Sequence, residues 1–294
     1  MFAITGITGK VGGETARTLL AAGKQVRAIM RDVRKGQVWS DTGCEVVAAD
    51  INDAAALTRA FAGAEGVFIL LPPVFDPTPN FPEVIVTINA IRDALLAAKP
   101  GKVVALSTIG AQAKQPNLLN PLGVMERTLA ELPMPTAFLR AAWFMENSSY
   151  DVAPARDAGV LRSFLQPLDK PVPMIATVDI GQLAATLLQE TWSGSRIIEL
   201  EGPHRITPAE LGATFASVLG RPVTVEAVPR STWEKLFLSQ GMKNPTPRMQ
   251  MIDGFNEGWI EFEGGEKNSL KGKTSVEAVL RSLVQEQSQE EDRK

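Results

Sequence analysis

The stretch Ile4-Thr5-Gly6-Ile7-Thr8-Gly9-Lys10-Val11-Gly12-Gly13 constrains the fold more than any other, because an apolar strand runs into a glycine-rich turn that opens a helix. Gly6 permits a tight turn, Gly9 removes a Cβ where a phosphate would approach the backbone, and Gly12 lets the helix lie close to its strand. The first N–H groups of a helix lack partners within it, and they sit at the positive end of its dipole. Such a turn suits an anion, here the pyrophosphate of a dinucleotide, with Thr8, Lys10 and Val11 sharing the turn with the three glycines.

The surroundings support that reading. A helix over Lys10 to Ala22 stops at Gly23, and Gln25 to Met30 reads as a second strand, which completes a βαβ unit. In such units an acidic residue about twenty positions on holds the ribose 2′-hydroxyl, whereas an arginine accommodates a 2′-phosphate. This strand runs into Arg31, with Arg34 and Lys35 close behind. Arg31 and Lys35 therefore predict NADP(H) over NAD(H), since a guanidinium can grip a phosphate dianion through two parallel hydrogen bonds. Asp32 either caps a helix over Val33 to Ser40 or holds Arg31 in place.

Strands and helices keep alternating through the first half. Glu45 to Ala49 and Gly66 to Leu71 read as strands, Asp53 caps a helix through Ala62, and a proline-rich loop to Pro82 precedes a helix over Val84 to Ala98. Lys102 to Leu106 is a fifth strand, Leu122 to Leu132 a helix and Thr136 to Leu139 a sixth strand. This alternation predicts an α/β fold: a doubly wound parallel (Rossmann) sheet over residues 1–150. Ligands of such sheets lie beyond the carboxyl ends of the strands. Gly6 to Gly12, Arg31, Asp50-Ile51, Leu70 to Pro72, Ser107-Thr108 and Arg140 to Phe144 should then border one crevice.

From residue 151 to 294 the regularity weakens, which predicts a smaller, partly discontinuous C-terminal α/β domain closing over the crevice. Val178 to Gln189 reads as a helix, and Arg196 to Leu200 as a strand that could return to the main sheet. A capped helix follows from Thr207, with Pro208 at its first position and Glu210 completing a capping box. Pro222 to Val228 reads as a strand and Ser231 to Gln240 as a helix. Thr274-Ser275-Val276-Glu277 reads as a second capping box, and the Gln- and Glu-rich tail from Gln285 as frayed.

Composition narrows the chemistry. With 294 residues, 45% of them hydrophobic, the chain can bury a sizeable core, and its net charge of −3 offers no concentrated positive face for nucleic acid. No apolar run reaches the length of a membrane span and the N-terminus reads as a strand, so a cytoplasmic protein without membrane contact is expected. Cys44 is the only cysteine and His204 the only histidine, which excludes an internal disulfide and any multi-cysteine metal site and leaves a histidine-based one only His204, so no metal is expected. His204 falls in the loop before the Thr207 cap and reads as structural or solvent-exposed.

The residues from Gly6 to Gly12, Val26 to Arg31, Asp50, Val178-Asp179-Ile180-Gly181 and above all Phe138-Leu139-Arg140-Ala141-Ala142-Trp143-Phe144-Met145-Glu146-Asn147 resemble the NmrA-like family of atypical short-chain dehydrogenase/reductases. The resemblance spans nearly the whole chain. It implies that Gly6, Gly9 and Gly12 bind pyrophosphate, that Arg31 takes the 2′-phosphate and that Asp50 lies near the adenine. It further implies that Leu71, Pro72, Ser107 and Thr108 flank the ribose and nicotinamide, and that Trp143 and Phe144 line the substrate pocket, core packing being their alternative.

One departure matters. Active short-chain reductases commonly use a Tyr-x-x-x-Lys pair to pass a proton, but Tyr150 is the only tyrosine and Pro154 follows it four positions on. The segment Asn120 to Glu126 also lacks the lysine or histidine that many relatives place before the matching glutamate. No catalytic residue can be assigned. Ser107, Thr108 and Asn120 are the polar side chains available to orient a carbonyl, with turn formation and capping as the alternative. Two functions fit: an NADPH-dependent reductase of a flat, electron-poor small molecule such as a quinone or conjugated dye, or a non-catalytic NADP(H) sensor acting through a regulatory protein partner.

Overall fold

Alternate residues of each central strand enter opposite apolar layers, as the two-residue period of a strand requires. Phe2, Ile4, Phe68, Val104, Leu106, Ala137 and Leu139 fill one layer, while Ala3, Val67, Ile69, Val103, Ala105 and Phe138 fill the other. A sheet greasy on both faces must be covered on both. The computed structural model, which describes residues 1–292, shows that arrangement.

Strand β1 (Phe2–Ile4) leads through the glycine turn into α1 (Lys10–Ala21), followed by β2 (Val26–Met30), α2 (Gln37–Asp41), β3 (Glu45–Ala48), α3 (Ala54–Phe61) and β4 (Gly66–Ile69). Next come α4 (Pro82–Ala98), β5 (Val103–Thr108), α5 (Asn120–Ala130) and β6 (Thr136–Ala141). The chain continues through β7 (Trp143–Phe144), α6 (Val152–Ala158), β8 (Val160–Ser163), β9 (Met174–Ile175), α7 (Thr177–Gln189) and β10 (Ser195–Glu201). It closes with α8 (Pro208–Leu219), β11 (Thr224–Ala227), α9 (Trp233–Ser239), α10 (Thr246–Glu257), β12 (Leu270–Lys271) and α11 (Val276–Asp292).

The main sheet runs β12-β10-β6-β5-β4-β1-β2-β3 with every pair parallel. It is a doubly wound sheet whose order reverses between β1 and β4, and β10 lies beside β6 within it. Helices α3, α4 and α5 cover one face, and α1, α7 and α11 the other. Helix α7 comes close to α1 because Gly181 has no side chain, since a Cβ there would meet Glu14 Cβ at 2.5 Å. Two short parallel pairs, β8 with β11 and β7 with β9, build the C-terminal part, together with a satellite core around Trp233 and Phe237.

Three local expectations change. Over Val33 to Ser40 the chain makes a 3-10 turn, Val33–Gly36, before the short α2. Thr274 does not cap α11. Its hydroxyl donates to the buried Asp179 carboxylate at 2.8 Å, and Ser275 Oγ takes the Ala278 N–H instead. The tail does not fray at Gln285, because Gln287 donates to the Ser149 carbonyl and Glu291 pairs with Arg156 at 2.8 Å, so helix continues to Asp292. The cap at Asp53 and the capping box of Thr207 with Glu210 form as expected.

Asp151, in the turn between β7 and α6, has its pKa pushed up from 3.8 to about 6 by burial. A raised carboxyl pKa means that the folded chain holds more protons than the unfolded one between these values, so stability falls as pH rises from about 4 to 6 and the loss is constant above. Asp151→Asn should overtake the parent within that window and lead by about 1–3 kcal/mol above pH 6. Urea unfolding between pH 4 and 8 checks this, and a lead that does not vary with pH would refute it.

Candidate functional site

The site begins at the glycine turn between β1 and α1. Gly6 takes φ +64°, its carbonyl accepts the Gly9 N–H at 3.0 Å, and the buried Thr5 hydroxyl bridges to β4, donating to Phe68 O and accepting the Leu70 N–H. This fixes the turn against the neighbouring strand end at the point where the sheet order reverses. Gly9 is the N-cap of α1 and carries no capping side chain, and the first backbone bond across it is Gly13 N–H to Gly9 O at 2.9 Å. The N–H groups of Lys10, Val11 and Gly12 therefore precede the helical ladder, at the positive end of a twelve-residue helix. Thr8 and Gly9 are exposed beside them. The Lys10 side chain pairs with Glu286 of α11 at 3.3 Å, so its offering to the turn is its N–H.

At the end of β2, Asp32 accepts the Arg34 N–H at 3.1 Å and binds the Arg34 guanidinium at 2.8 Å. Those hydrogen bonds to Arg34 hold the Asp32 carboxyl below the usual range. Asp32 thus caps its turn through Arg34 and does not hold Arg31. Arg31 and Lys35 are exposed, and neither forms an ion pair among the described residues. Two cations at this edge remain available to an anion.

The other strand ends lie along the same edge of the parallel sheet. Asp50 is exposed and accepts the Asn52 N–H at 2.8 Å, while Ile51 is half-buried against the core. Leu71 is buried and Pro72 exposed after β4, where the Leu70 side chain backs onto Gly6. Thr108 is half-buried at the end of β5, its hydroxyl turned to the Ile109 carbonyl at 3.1 Å.

Ser107 and Asn120 have structural partners. Ser107 Oγ is buried and donates to Glu126 at 2.5 Å. Asn120 closes the loop after β5, its Oδ1 accepting the Asn117 N–H at 2.6 Å and its Nδ2 reaching the Gln115 carbonyl. The turn role accounts for Asn120, whereas Ser107 is taken up by a buried bond from β5 to α5, neither a cap nor a turn. Glu126 also binds Arg140 through two hydrogen bonds, 2.9 and 2.7 Å. Arg140, 3% exposed, reaches on to Glu199 of β10 at 3.4 Å and to Glu263 at 2.9 Å. Burial works to lower the Arg140 pKa, but hydrogen bonding and the charge of Glu126 outweigh it and hold it above the ordinary value. Here lies a buried network that ties α5, β6, β10 and the loop after α10 beneath the crevice. The Leu-Arg motif marks its position, but only folding reveals its partners.

Trp143 and Phe144 are half-buried on β7, and Trp143 stands edge-on to Phe255 of α10 at 5.2 Å and 88°. Helix α10 was not foreseen, although Pro245-Thr246-Pro247 is a helix-start pattern. Its segment touches two loops and one short strand in turn. Lys243 and Asn244 donate to Asp76 in the loop after β4, Leu118 in the loop after β5 donates to Pro247 O, and Phe255 meets Trp143 beyond β6. The segment 243–255 thus ties the loops after β4 and β5 to β7.

Tyr150 is 84% exposed and His204 is exposed, while Cys44 is buried. Among the described residues no cluster of three His, Cys, Asp or Glu could hold a metal, and no helix is long and apolar enough to cross a membrane.

The sequence model of the NmrA-like family matches residues 1–278. An NAD(P)H azoreductase of Xenophilus azovorans is 26% identical over 87% of this chain and 85% of its own. A (4-alkanoyl-5-oxo-2,5-dihydrofuran-3-yl)methyl phosphate reductase of Streptomyces griseus is 32% identical over 77% of this chain and 76% of its own. Among solved structures, an NADPH-dependent quinone oxidoreductase of Escherichia coli, complexed with NADPH, shares the fold at TM-score 0.80 and 23% identity, covering 96% of this chain and 99% of its own.

Proposed function

This chain belongs to the NmrA-like family, and from that premise we propose that it is an NADPH-dependent reductase of a flat, electron-poor acceptor of the quinone or conjugated-dye type. The observation that carries the proposal is the pairing of an uncapped α1 N-terminus with two exposed cations, Arg31 and Lys35, at the end of the next strand. The residues present fit the cofactor. The N–H groups of Lys10, Val11 and Gly12 suit a pyrophosphate, and Arg31 with Lys35 suits the 2′-phosphate that distinguishes NADPH from NADH. When bound, NADPH supplies a hydride, and with one proton the acceptor gains two electrons while NADP⁺ is left.

This chain offers little help with the proton. The Ser107 hydroxyl is engaged by Glu126, and Tyr150 has no lysine four positions on. The acceptor must therefore be one whose reduced form is stabilised by conjugation and can collect its proton from water. That requirement selects quinones and conjugated dyes over simple ketones. The named activities of the azoreductase and the furanone phosphate reductase agree with it, and they favour an enzyme over a sensor acting through a partner protein.

Loss of NADPH absorbance with a panel of quinones and azo dyes, NADH run beside it, tests the reading. Turnover preferring NADPH is expected, and silence across the panel from a protein that binds NADPH would defeat it. Arg31→Ala should weaken NADPH binding about ten- to a hundredfold, as loss of a charge-assisted pair does, and leave NADH nearly unaffected. Unaltered NADPH affinity would remove Arg31 from the site.

A further inference from the structure

Arg248, at the third position of α10, is a half-buried guanidinium without a carboxylate. Its guanidinium lies over the Phe237 ring at 4.6 Å and reaches Met242 Sδ at 3.8 Å, and among the described residues it joins no ion pair. A planar guanidinium stacked on a ring keeps its N–H donors along the edge, and a thioether is a weak acceptor for them. Its position sharpens the mismatch, because the N-terminus of a helix is its positive end and α10 has no capping side chain there. Burial pulls the Arg248 pKa below the ordinary arginine value, against the raising influence of nearby Tyr150. Even a half-buried cation at a positive helix end is disfavoured until an anion arrives.

The surroundings say what carries that anion. Arg248 is one residue from the Pro247 carbonyl that binds the loop after β5, on the helix whose Phe255 meets Trp143. Phe75, 62% exposed, is next to Asp76, which binds the same segment at Lys243 and Asn244. An unpaired guanidinium on the helix that meets Trp143 through Phe255 suits a negative group carried on the flat acceptor of the reductase reading.

We propose that Arg248 determines acceptor specificity by binding an oxyanion, such as a sulfonate, phosphate or carboxylate, carried on the flat acceptor. This rests on the reductase reading, and the test separates the two. Binding of naphthalene-2-sulfonate and of its uncharged sulfonamide to the full-length protein, loaded with NADP⁺, reads the anion site without turnover. The parent should prefer the sulfonate. In Arg248→Ala the ratio of the two dissociation constants should shift against the sulfonate by about tenfold or more, the usual size of a lost charged hydrogen bond, and Arg248→Lys should restore part of it. A ratio unchanged in Arg248→Ala, or a parent that does not prefer the sulfonate, overturns the proposal. Melting temperatures of both variants guard against misfolding, and Arg248→Lys carries the test if the alanine variant fails to fold. In parallel, KM is compared for 1,2-naphthoquinone-4-sulfonate and 1,2-naphthoquinone, each reduced by NADPH. A tenfold KM change confined largely to the sulfonate supports the proposal. Absence of turnover with both quinones sinks the reductase reading, while the binding ratio still decides on Arg248.

Discussion

Gly12→Ala is expected to abolish measurable NADPH binding and to lower stability by about 3 kcal/mol, the upper part of the range for overpacking. A Cβ on residue 12 would lie 2.4 Å from the Gly6 carbonyl oxygen and 2.7 Å from its carbon. Both are backbone atoms, so no rotamer change relieves the clash. Gly6 cannot yield either, since φ +64° and the Gly9 N–H hold its carbonyl in place. The helix must lift from the turn, and the N–H groups of Lys10, Val11 and Gly12 move with it. Gly9→Ala is the informative comparison, because its Cβ would stand 3.3 Å from the same oxygen. It should cost much less stability yet still intrude where the phosphates approach. Thermal unfolding and NADPH titration of both variants test the geometry. A Gly12→Ala protein that melts and binds like the parent would show that the turn is not packed as described.

Arg140→Ala should cost about 3–5 kcal/mol, because removing one partner of a buried ion pair leaves the other charge stranded. Glu126 and Glu199, 9% and 8% exposed at their side chains, would lose the cation they share. Glu199 keeps the N–H groups of Glu263 and Gly264, whereas Glu126 keeps only the Ser107 hydroxyl, so Glu126 carries most of the penalty. Arg140→Met combined with Glu126→Leu should therefore be more stable than Arg140→Met alone. Urea unfolding of the three variants measures this. Equal stability of the single and double variants would mean that the pair is not coupled.

Much of this molecule can be read over short spans of sequence. The glycine turn, the two-residue alternation of the buried strands, the Asp53 cap and the Thr207–Glu210 capping box each depend on residues within one turn or one strand. Local sterics and hydrogen bonding decide them before any tertiary contact forms. The expected crevice follows from the same source, since a parallel sheet places all its strand ends together.

Side-chain partnership is a different matter. Ser107 and Asn120 offer the same polar groups whether they face a ligand or a neighbour. Folding gave Ser107 to Glu126, 19 residues on, and Asn120 to its own loop. Thr274 looked like a cap until Asp179, 95 residues earlier, took its hydroxyl. Arg140 meets Glu263 across 123 residues, and the segment leading into α10 binds loops far apart in the chain, at Asp76 and Leu118. The sequence by itself determined the wound sheet, the glycine turn and the cation beside it, because those depend on near neighbours. Only the tertiary structure decided which polar side chains are consumed in support and which, like Arg31 and Arg248, keep their charge unpaired among the described residues, because that depends on partners whose approach no local pattern encodes.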